Sequence, residues 1–295
     1  MNFSDYYQRQ PATISFELFP PRNDAGMAAL QNRLPKLIAL EPAFITVTYG
    51  AMGQTRTRTL EIASMLKTQY GIETAHHLTC VGTSITGLKD ILDSIYSHGI
   101  DKIVALRGDP PSGQSHYTPP ADTYRHAGDL VQAIREDGRF TIAVAGYPET
   151  HIEAPDPQTD LTHLKAKVDS GADAIITQLY YDNDAFYSFT NNCRSIGITQ
   201  PIVAGLMPIL DVQQIKRITQ MCGATIPQTL LLQLERADGD PEQVHEIGIQ
   251  HTADQAIDLL SHGVSGIHFY ILNQYFHIAE IMNRISDSLP HPHSS

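Results

Sequence analysis

Lys102-Ile103-Val104-Ala105-Leu106-Arg107-Gly108-Asp109-Pro110-Pro111 is the stretch that decides the fold. Ile103 to Leu106 is an unbroken apolar run, the pattern of a strand buried on both faces in a parallel sheet. It stops at Arg-Gly-Asp-Pro-Pro, where glycine allows close backbone approach and the prolines forbid further pairing. An arginine and a carboxylate are thereby presented at the carboxyl end of a buried strand, the edge where parallel α/β folds bind ligands. The plain alternative is an ordinary strand end with a solvated Arg107–Asp109 pair. Other segments decide between the two.

Working outward, four places repeat one pattern of helical stretch, glycine, short link and buried apolar run. They begin at Gly99, Gly171, Gly197 and Gly263. Glycine just past a helix supplies a left-handed cap, and the short link returns the chain to a parallel strand. The βα unit therefore recurs. Strands are expected at about 12–18, 43–48, 74–79, 102–107, 140–146, 173–178, 201–206 and 265–270. Helical spacing lies between them, as in Leu88, Ile91, Leu92 and Ile95. Pro35 weakens the first helical pattern, and Asp240-Pro241-Glu242 reads as a helix start in the long gap before the eighth strand. The predicted fold is a (β/α)8 TIM barrel with extra helices between strands 7 and 8. A doubly wound sheet competes, but neither G-x-G-x-x-G nor G-x-x-x-x-G-K-[ST] follows any strand. Residues 1–11 read as an N-terminal arm, 12–288 as one catalytic domain and 289–295 as a disordered tail.

Composition narrows the partners. A formal net charge of −12 over 295 residues argues against nucleic acid or an anionic membrane. Cys80, Cys193 and Cys222 form no C-x-x-C and read as small core residues of a reducing compartment. With no signal peptide and no apolar run of ~18 residues, the expected location is cytoplasmic.

In a barrel, catalytic groups project from the carboxyl ends of the strands. Those positions hold Glu17, Thr48 with Tyr49, His77 with Thr79, Arg107 with Asp109, Tyr147 with Glu149 and His151, Gln178, Met207, and Phe269 with Tyr270. Glu17 interrupts an aromatic-rich strand. Burial there disfavours the charged form, so the carboxyl is expected to keep its proton near neutral pH and act as a general acid. The alternative is a structural glutamate paired with Arg22 or another cation. His76 and His77 cannot chelate together because adjacent strand residues face opposite ways, and no metal site is expected. Lys165 and Lys167 lie on a helix, and no lysine is read inside the barrel for Schiff-base chemistry.

Taken together, Ser15-Phe16-Glu17-Leu18-Phe19-Pro20-Pro21-Arg22, Val47-Thr48-Tyr49-Gly50-Ala51, His77-Leu78-Thr79-Cys80, Ala105-Leu106-Arg107-Gly108-Asp109, Tyr147-Pro148-Glu149 with His151, and Ile176-Thr177-Gln178 resemble methylenetetrahydrofolate reductase. The likeness runs in order from about residue 12 to 286. It implies a barrel that holds FAD on its loops and works in two half-reactions. NAD(P)H reduces the flavin and leaves; 5,10-methylenetetrahydrofolate then binds and is reduced to 5-methyltetrahydrofolate. By the same resemblance Glu17 is the acid that protonates folate nitrogen 10, and Asp109 is the carboxylate beside the flavin and the folate. Gln178 and Gln214 contact the folate. Thr48, Tyr49, Ala51, His77, Leu106, Arg107, Gly108, Asp109, His126, Ala127, Tyr147, His151, Ala154, Asp160 and Lys167 contact the flavin.

Three positions depart from the family pattern. His126 replaces a tyrosine, Ile218 replaces an aromatic that packs on the bound ligand, and Gln274 replaces an arginine. Losing a stacking ring weakens such a contact by about 1 kcal/mol. Altered nicotinamide affinity with ordinary flavin binding is the expectation. A ferredoxin or partner flavoprotein as electron source, and a non-enzymatic folate-binding barrel, are the alternatives. Single-domain relatives form homo-oligomers, which the resemblance extends to this chain.

Overall fold

The computed structural model describes residues 1–8, 12–49, 54–109 and 118–289. In chain order its elements are α1 (Phe3–Tyr7), β1 (Thr13–Leu18), α2 (Asp24–Ile38), β2 (Phe44–Val47), α3 (Gln54–Gln69), β3 (Thr74–Thr79), α4 (Leu88–Ser97), β4 (Lys102–Leu106) and α5 (Ala127–Asp137). There follow β5 (Thr141–Gly146), α6 (Pro157–Asp169), β6 (Ala174–Thr177), α7 (Asn183–Ser195), β7 (Ile202–Leu206), α8 (Val212–Cys222), α9 (Gln228–Arg236), α10 (Pro241–Ser261), β8 (Gly266–Tyr270) and α11 (Phe276–Ile285). The strands pair in sequence order, all parallel, and β1 closes on β8. This is a (β/α)8 barrel, with α8, α9 and α10 all lying between β7 and β8.

Each strand alternates between two cores. On β1, Ile14, Phe16 and Leu18 join the layer between sheet and helices, whereas Ser15 and Glu17 face the barrel interior. Helices bury one stripe in the outer layer. On α4, Leu88, Leu92 and Ile95 are buried, at about 1.5–3 kcal/mol each. Helix starts are set locally: Asn23, Asp156, Asp211 and Asp240 each accept a backbone N–H of the helix that follows. The four repeat glycines, 99, 171, 197 and 263, all adopt positive φ, as their cap role requires.

The structure resolves one open reading and corrects another. The first helical pattern, weakened by Pro35, does form a helix: α2 runs through the proline to Ile38, and the Pro35 carbonyl accepts the Ala39 N–H. The buried residues Leu30, Leu34 and Leu37 anchor both sides of the proline, and that packing outweighs the lost bond. Second, a lysine does sit inside the barrel. Lys102 opens β4, is fully buried, and donates to Asp101 Oδ1 at 2.6 Å and Glu73 Oε2 at 2.8 Å. Burial opposes its charge, but those two bonds outweigh it and hold the ammonium above its usual range. It lies at the amino-terminal end of the strands, opposite the mouth, so it does not serve Schiff-base chemistry there.

That lower end is closed by α1. Phe3, Tyr6 and Tyr7 are buried against Phe44, with ring centroids 5.1–6.3 Å away. They join an interior apolar cluster with Ala75, Val104, Ala143, Ala174 and Val203. Phe3 N–H donates to Thr141 Oγ1 and Thr13 Oγ1 donates to the Tyr6 carbonyl, pinning the plug. Among the described residues no helix is long and apolar enough to cross a membrane, and all three cysteines are free. Residues 290–295, most of the predicted tail, lie outside the described residues.

Candidate active site

The inward alternation of β1, β3 and β8 brings three titratable side chains together near the upper mouth. Glu17 Oε2 lies 3.4 Å from His77 Nε2 and 3.6 Å from His268 Nε2. Glu17 retains 19% side-chain exposure, enough to be reached from the mouth, whereas His268 is fully buried. Arg22 is exposed and forms no ion pair with Glu17 among the described residues. Burial pushes the His77 imidazole down to about 4, Glu17 opposing and His268 adding to the shift. His77 is therefore neutral at physiological pH, and no full ion pair forms. His76, the next residue on β3, places its ring 6.4 Å from Tyr49, as strand alternation requires.

A measurable consequence follows from two such histidines. His277, packed perpendicular to His245 at 4.5 Å between α10 and α11, is also pushed down to about 4 by burial. In the unfolded chain both titrate near the ordinary 6.5. Between pH 6.5 and about 4 the unfolded state thus binds more protons, so stability is lost as the pH drops through that window and is flat above it. His77 alone should cost about 2 kcal/mol between pH 7 and pH 5. Urea midpoints measured at both values check this, and equal midpoints would contradict the buried neutral state.

The β4 end supplies the next group. Gly108 has φ +82°, and a Cβ there would stand 2.9 Å from Thr79 Cβ, so the β3 and β4 ends meet only because residue 108 has no side chain. Arg107 pairs with Glu153 through both guanidinium nitrogens, not with Asp109; this hydrogen-bonded partner raises its pKa further. Asp109 is exposed and forms no ion pair among the described residues. The plain reading of a solvated Arg107–Asp109 pair therefore gives way to an Arg107–Glu153 clasp.

The β5 loop is held by its own backbone. His151 N–H donates to Asp160 Oδ2, His151 Nδ1 accepts the Glu153 N–H, and Ala154 N–H donates to the His151 carbonyl. The His151 ring meets Tyr147 edge-on at 4.6 Å. Lys167 on α6 lies 5.9 Å from the Tyr147 ring centre and donates to the Ala145 carbonyl at 2.6 Å. Burial pushes its ammonium down to about 8, Asp160 opposing. Among the described residues no carboxylate stands within ion-pair distance of Lys167. The first turn of α5 is beside it: a Cβ on Gly128 would lie 3.9 Å from Lys167 Cγ. His126 is exposed at the cap of that helix, with its N–H on Asp129, and Ala127 is its first residue.

Gln178 follows β6 and shares a crevice of about 10 Å³ with Tyr147, Glu149 and Cys222. Its Oε1 accepts the Leu179 N–H at 2.9 Å, so the NH2 is the end available to a ligand. Gln214 lies on the first turn of α8, its N–H on Asp211, and does not line that crevice. Ile218, one turn on, packs into an apolar cluster with Leu179, Tyr181 and Leu230. Met207 joins the same cluster, and Phe269 faces the outer helices; neither opens to the mouth as the strand-end reading placed it. Gln274 is half-buried with its N–H on the Ile271 carbonyl. Thr48, Tyr49 and Leu106 sit at the ends of β2 and β4, and Ala51 lies outside the described residues. A separate cavity of about 340 Å³, lined by Tyr181, Asp182, Pro227, His251 and Asp254, shares no residue with this ring.

Sequence reasoning missed His268 and the crossing of the mouth by Tyr270. Tyr270 reaches from β8 over β7 and donates to the Thr177 carbonyl of β6 at 2.6 Å. Gly205 on β7 makes room for it, since a Cβ there would lie 2.9 Å from the Tyr270 ring and hydroxyl. The signal was the period of two, which puts Gly266, His268 and Tyr270 on the face shared with Ser15 and Glu17.

Comparison with known proteins bears on this arrangement. A family model described as methylenetetrahydrofolate reductase matches residues 2–286. Methylenetetrahydrofolate reductase (NADH) 1 of Arabidopsis thaliana is 42% identical over 271 residues, covering 88% of this chain and 46% of the relative. The 5,10-methylenetetrahydrofolate reductase of Salmonella typhimurium is 38% identical over 261 residues, covering 88% of this chain and 86% of the relative. The chain thus spans about half the length of its plant relatives and most of the bacterial one. Among solved structures, an uncharacterized Clostridium thermocellum protein that binds two copies of 5-methyl-5,6,7,8-tetrahydrofolic acid superposes with a TM-score of 0.64 at 13% identity, covering 96% of each chain. That likeness is one of fold. Family model and bacterial relative together show that the chain belongs to the methylenetetrahydrofolate reductase family.

Proposed function

We propose that the protein reduces 5,10-methylenetetrahydrofolate to 5-methyltetrahydrofolate at the barrel mouth, using FAD held by the loops and NAD(P)H as donor. The observation that carries this reading is Glu17, an interior carboxyl reachable from the mouth and flanked by imidazoles, one of them held neutral.

The donor set fits a flavin dinucleotide. Lys167, free of carboxylate partners among the described residues, and the adjoining first turn of α5 at Ala127 suit a pyrophosphate. The bare backbone of Gly108 and the Tyr147–His151 pair suit a flat ring system. Thr48, Tyr49, Ala51, His77, Leu106, Arg107, His126, Ala154 and Asp160 complete the assignment. Bound there, the flavin supplies a two-electron carrier between nicotinamide and folate. Glu17 delivers a proton to folate nitrogen 10, which opens the five-membered ring and leaves an electrophilic iminium. Asp109 places negative charge beside that cation. Gln178 and Gln214 orient the pterin, and Arg107 reaches ligand oxygens when Glu153 releases it.

Purified protein should be yellow with flavin absorbance. Anaerobic NADH or NADPH should bleach it, and methylenetetrahydrofolate should restore the colour. A colourless preparation that still binds folate would overturn the reading in favour of a binding protein. With Ile218 and Gln274 in place of a ring and a cation, stopped-flow bleaching should require nicotinamide well above micromolar concentrations. Fast bleaching by either nucleotide at micromolar levels would reject that part.

A further inference from the structure

Beneath Glu17 lies a polar arrangement that the proposed folate chemistry has not used. His268 is fully buried, its ring near-parallel to Phe44 at 6.4 Å and edge-on to Tyr270 at 5.4 Å, so it cannot turn without unpacking both. Its two nitrogens face different chemistry. Nδ1 is 2.8 Å from Ser15 Oγ, a hydroxyl that can donate or accept. Nε2 faces Thr46 Oγ1 at 3.4 Å and Glu17 Oε2 at 3.6 Å. A carboxylate only accepts, so once Glu17 is ionised the stable tautomer has its proton on Nε2 and a bare Nδ1 that receives the Ser15 hydroxyl. His77 Nε2 approaches the same Oε2 at 3.4 Å without hydrogen-bond geometry. Both imidazoles thus address one carboxyl oxygen, leaving Oε1 for a ligand above.

We propose that Ser15 and His268 form a positioning pair in which the serine hydroxyl sets the Nε2–H tautomer and the imidazole aims that proton at Glu17 Oε2. The pair holds the carboxyl with Oε1 toward the mouth. It also stabilises the carboxylate left when Glu17 gives its proton to the substrate. A sub-ångström shift brings the 3.6 Å separation to hydrogen-bond length as charge develops. Hydrogen bonds to charged groups are worth enough to change a rate by about 10- to 100-fold.

The inference rests on Glu17 acting as proposed, so its test includes a readout that needs no turnover. Nitrogen-15 NMR of the flavin-loaded protein with labelled histidine, His268 assigned from the H268Q difference, should show a protonated Nε2 and a bare Nδ1 above the titration range of free histidine. Ser15→Ala should give a mixture of tautomers. Protonated Nδ1 in the wild type, or no change in S15A, overturns the pair whatever the enzyme's substrate is. In single-turnover experiments, H268A should slow reoxidation by methylenetetrahydrofolate about 10- to 100-fold, while reduction by nicotinamide stays within about twofold. H268Q, which keeps an amide donor at the place of Nε2, should recover most of the loss. Equal loss in both half-reactions, or H268Q as slow as H268A, overturns it as well. If wild-type protein fails to reduce methylenetetrahydrofolate at all, the folate reading fails while the NMR outcome still judges the pair.

Discussion

Glu17→Gln is expected to abolish folate reduction while leaving flavin reduction by nicotinamide close to the wild-type rate. The amide keeps the size and the seat of the carboxyl between His77 and His268 but has no transferable proton. General acid catalysis of this kind contributes about 100- to 10,000-fold, so reoxidation by methylenetetrahydrofolate should fall by that factor. Separate stopped-flow measurements of the two half-reactions decide the matter. Parallel losses in both would mean that Glu17 supports the architecture of the mouth and is not the acid. The contrast with H268A is informative, because the positioning residue should cost less than the proton donor it supports.

The second large effect is structural. Gly205→Ala would put a Cβ 2.0 Å from the Thr177 carbonyl oxygen and 2.9 Å from the Tyr270 ring and hydroxyl. Backbone cannot retreat as a flexible side chain can, so β6 and β7 must separate and Tyr270 must leave its bond to Thr177. Overpacking against fixed backbone at a strand pair should cost about 3 kcal/mol, which corresponds to about 5 °C in Tm for a chain of this size. Tyr270→Phe is the control. It removes only the hydroxyl and should cost about 1 kcal/mol. A G205A melting temperature within about 1 °C of wild type would show that the mouth yields more easily than its geometry implies.

What was legible in the sequence was what depends on neighbours in the chain. Apolar runs and capping glycines located the strands, and β3 and β4 fall where those runs predict. Their periodicity also implied closure, since eight equivalent units leave no edge to terminate. Glu17 stood out because a carboxyl inside an aromatic strand needs a reason. His268 did not stand out, and His77 was picked out without its contact to Glu17: the two reach it from β3 and β8, and only barrel closure makes them neighbours. No lysine was read inside the barrel, yet the Lys102 ammonium is fully buried there, its charge offset by Glu73 and Asp101 at the lower end. Arg107 was read against the carboxylate two residues away, whereas its partner Glu153 arrives from another loop. Pro35 illustrates the reverse case, a local signal overruled by the packing of Leu30, Leu34 and Leu37.

The aromatic plug of α1 makes the cylinder a cul-de-sac. On the proposed function, both reactants would enter and leave on the one open side of the barrel. If the two share that opening as proposed, initial velocities should turn downward when one reactant is raised at low levels of its companion, and their steady rise would show that both fit together.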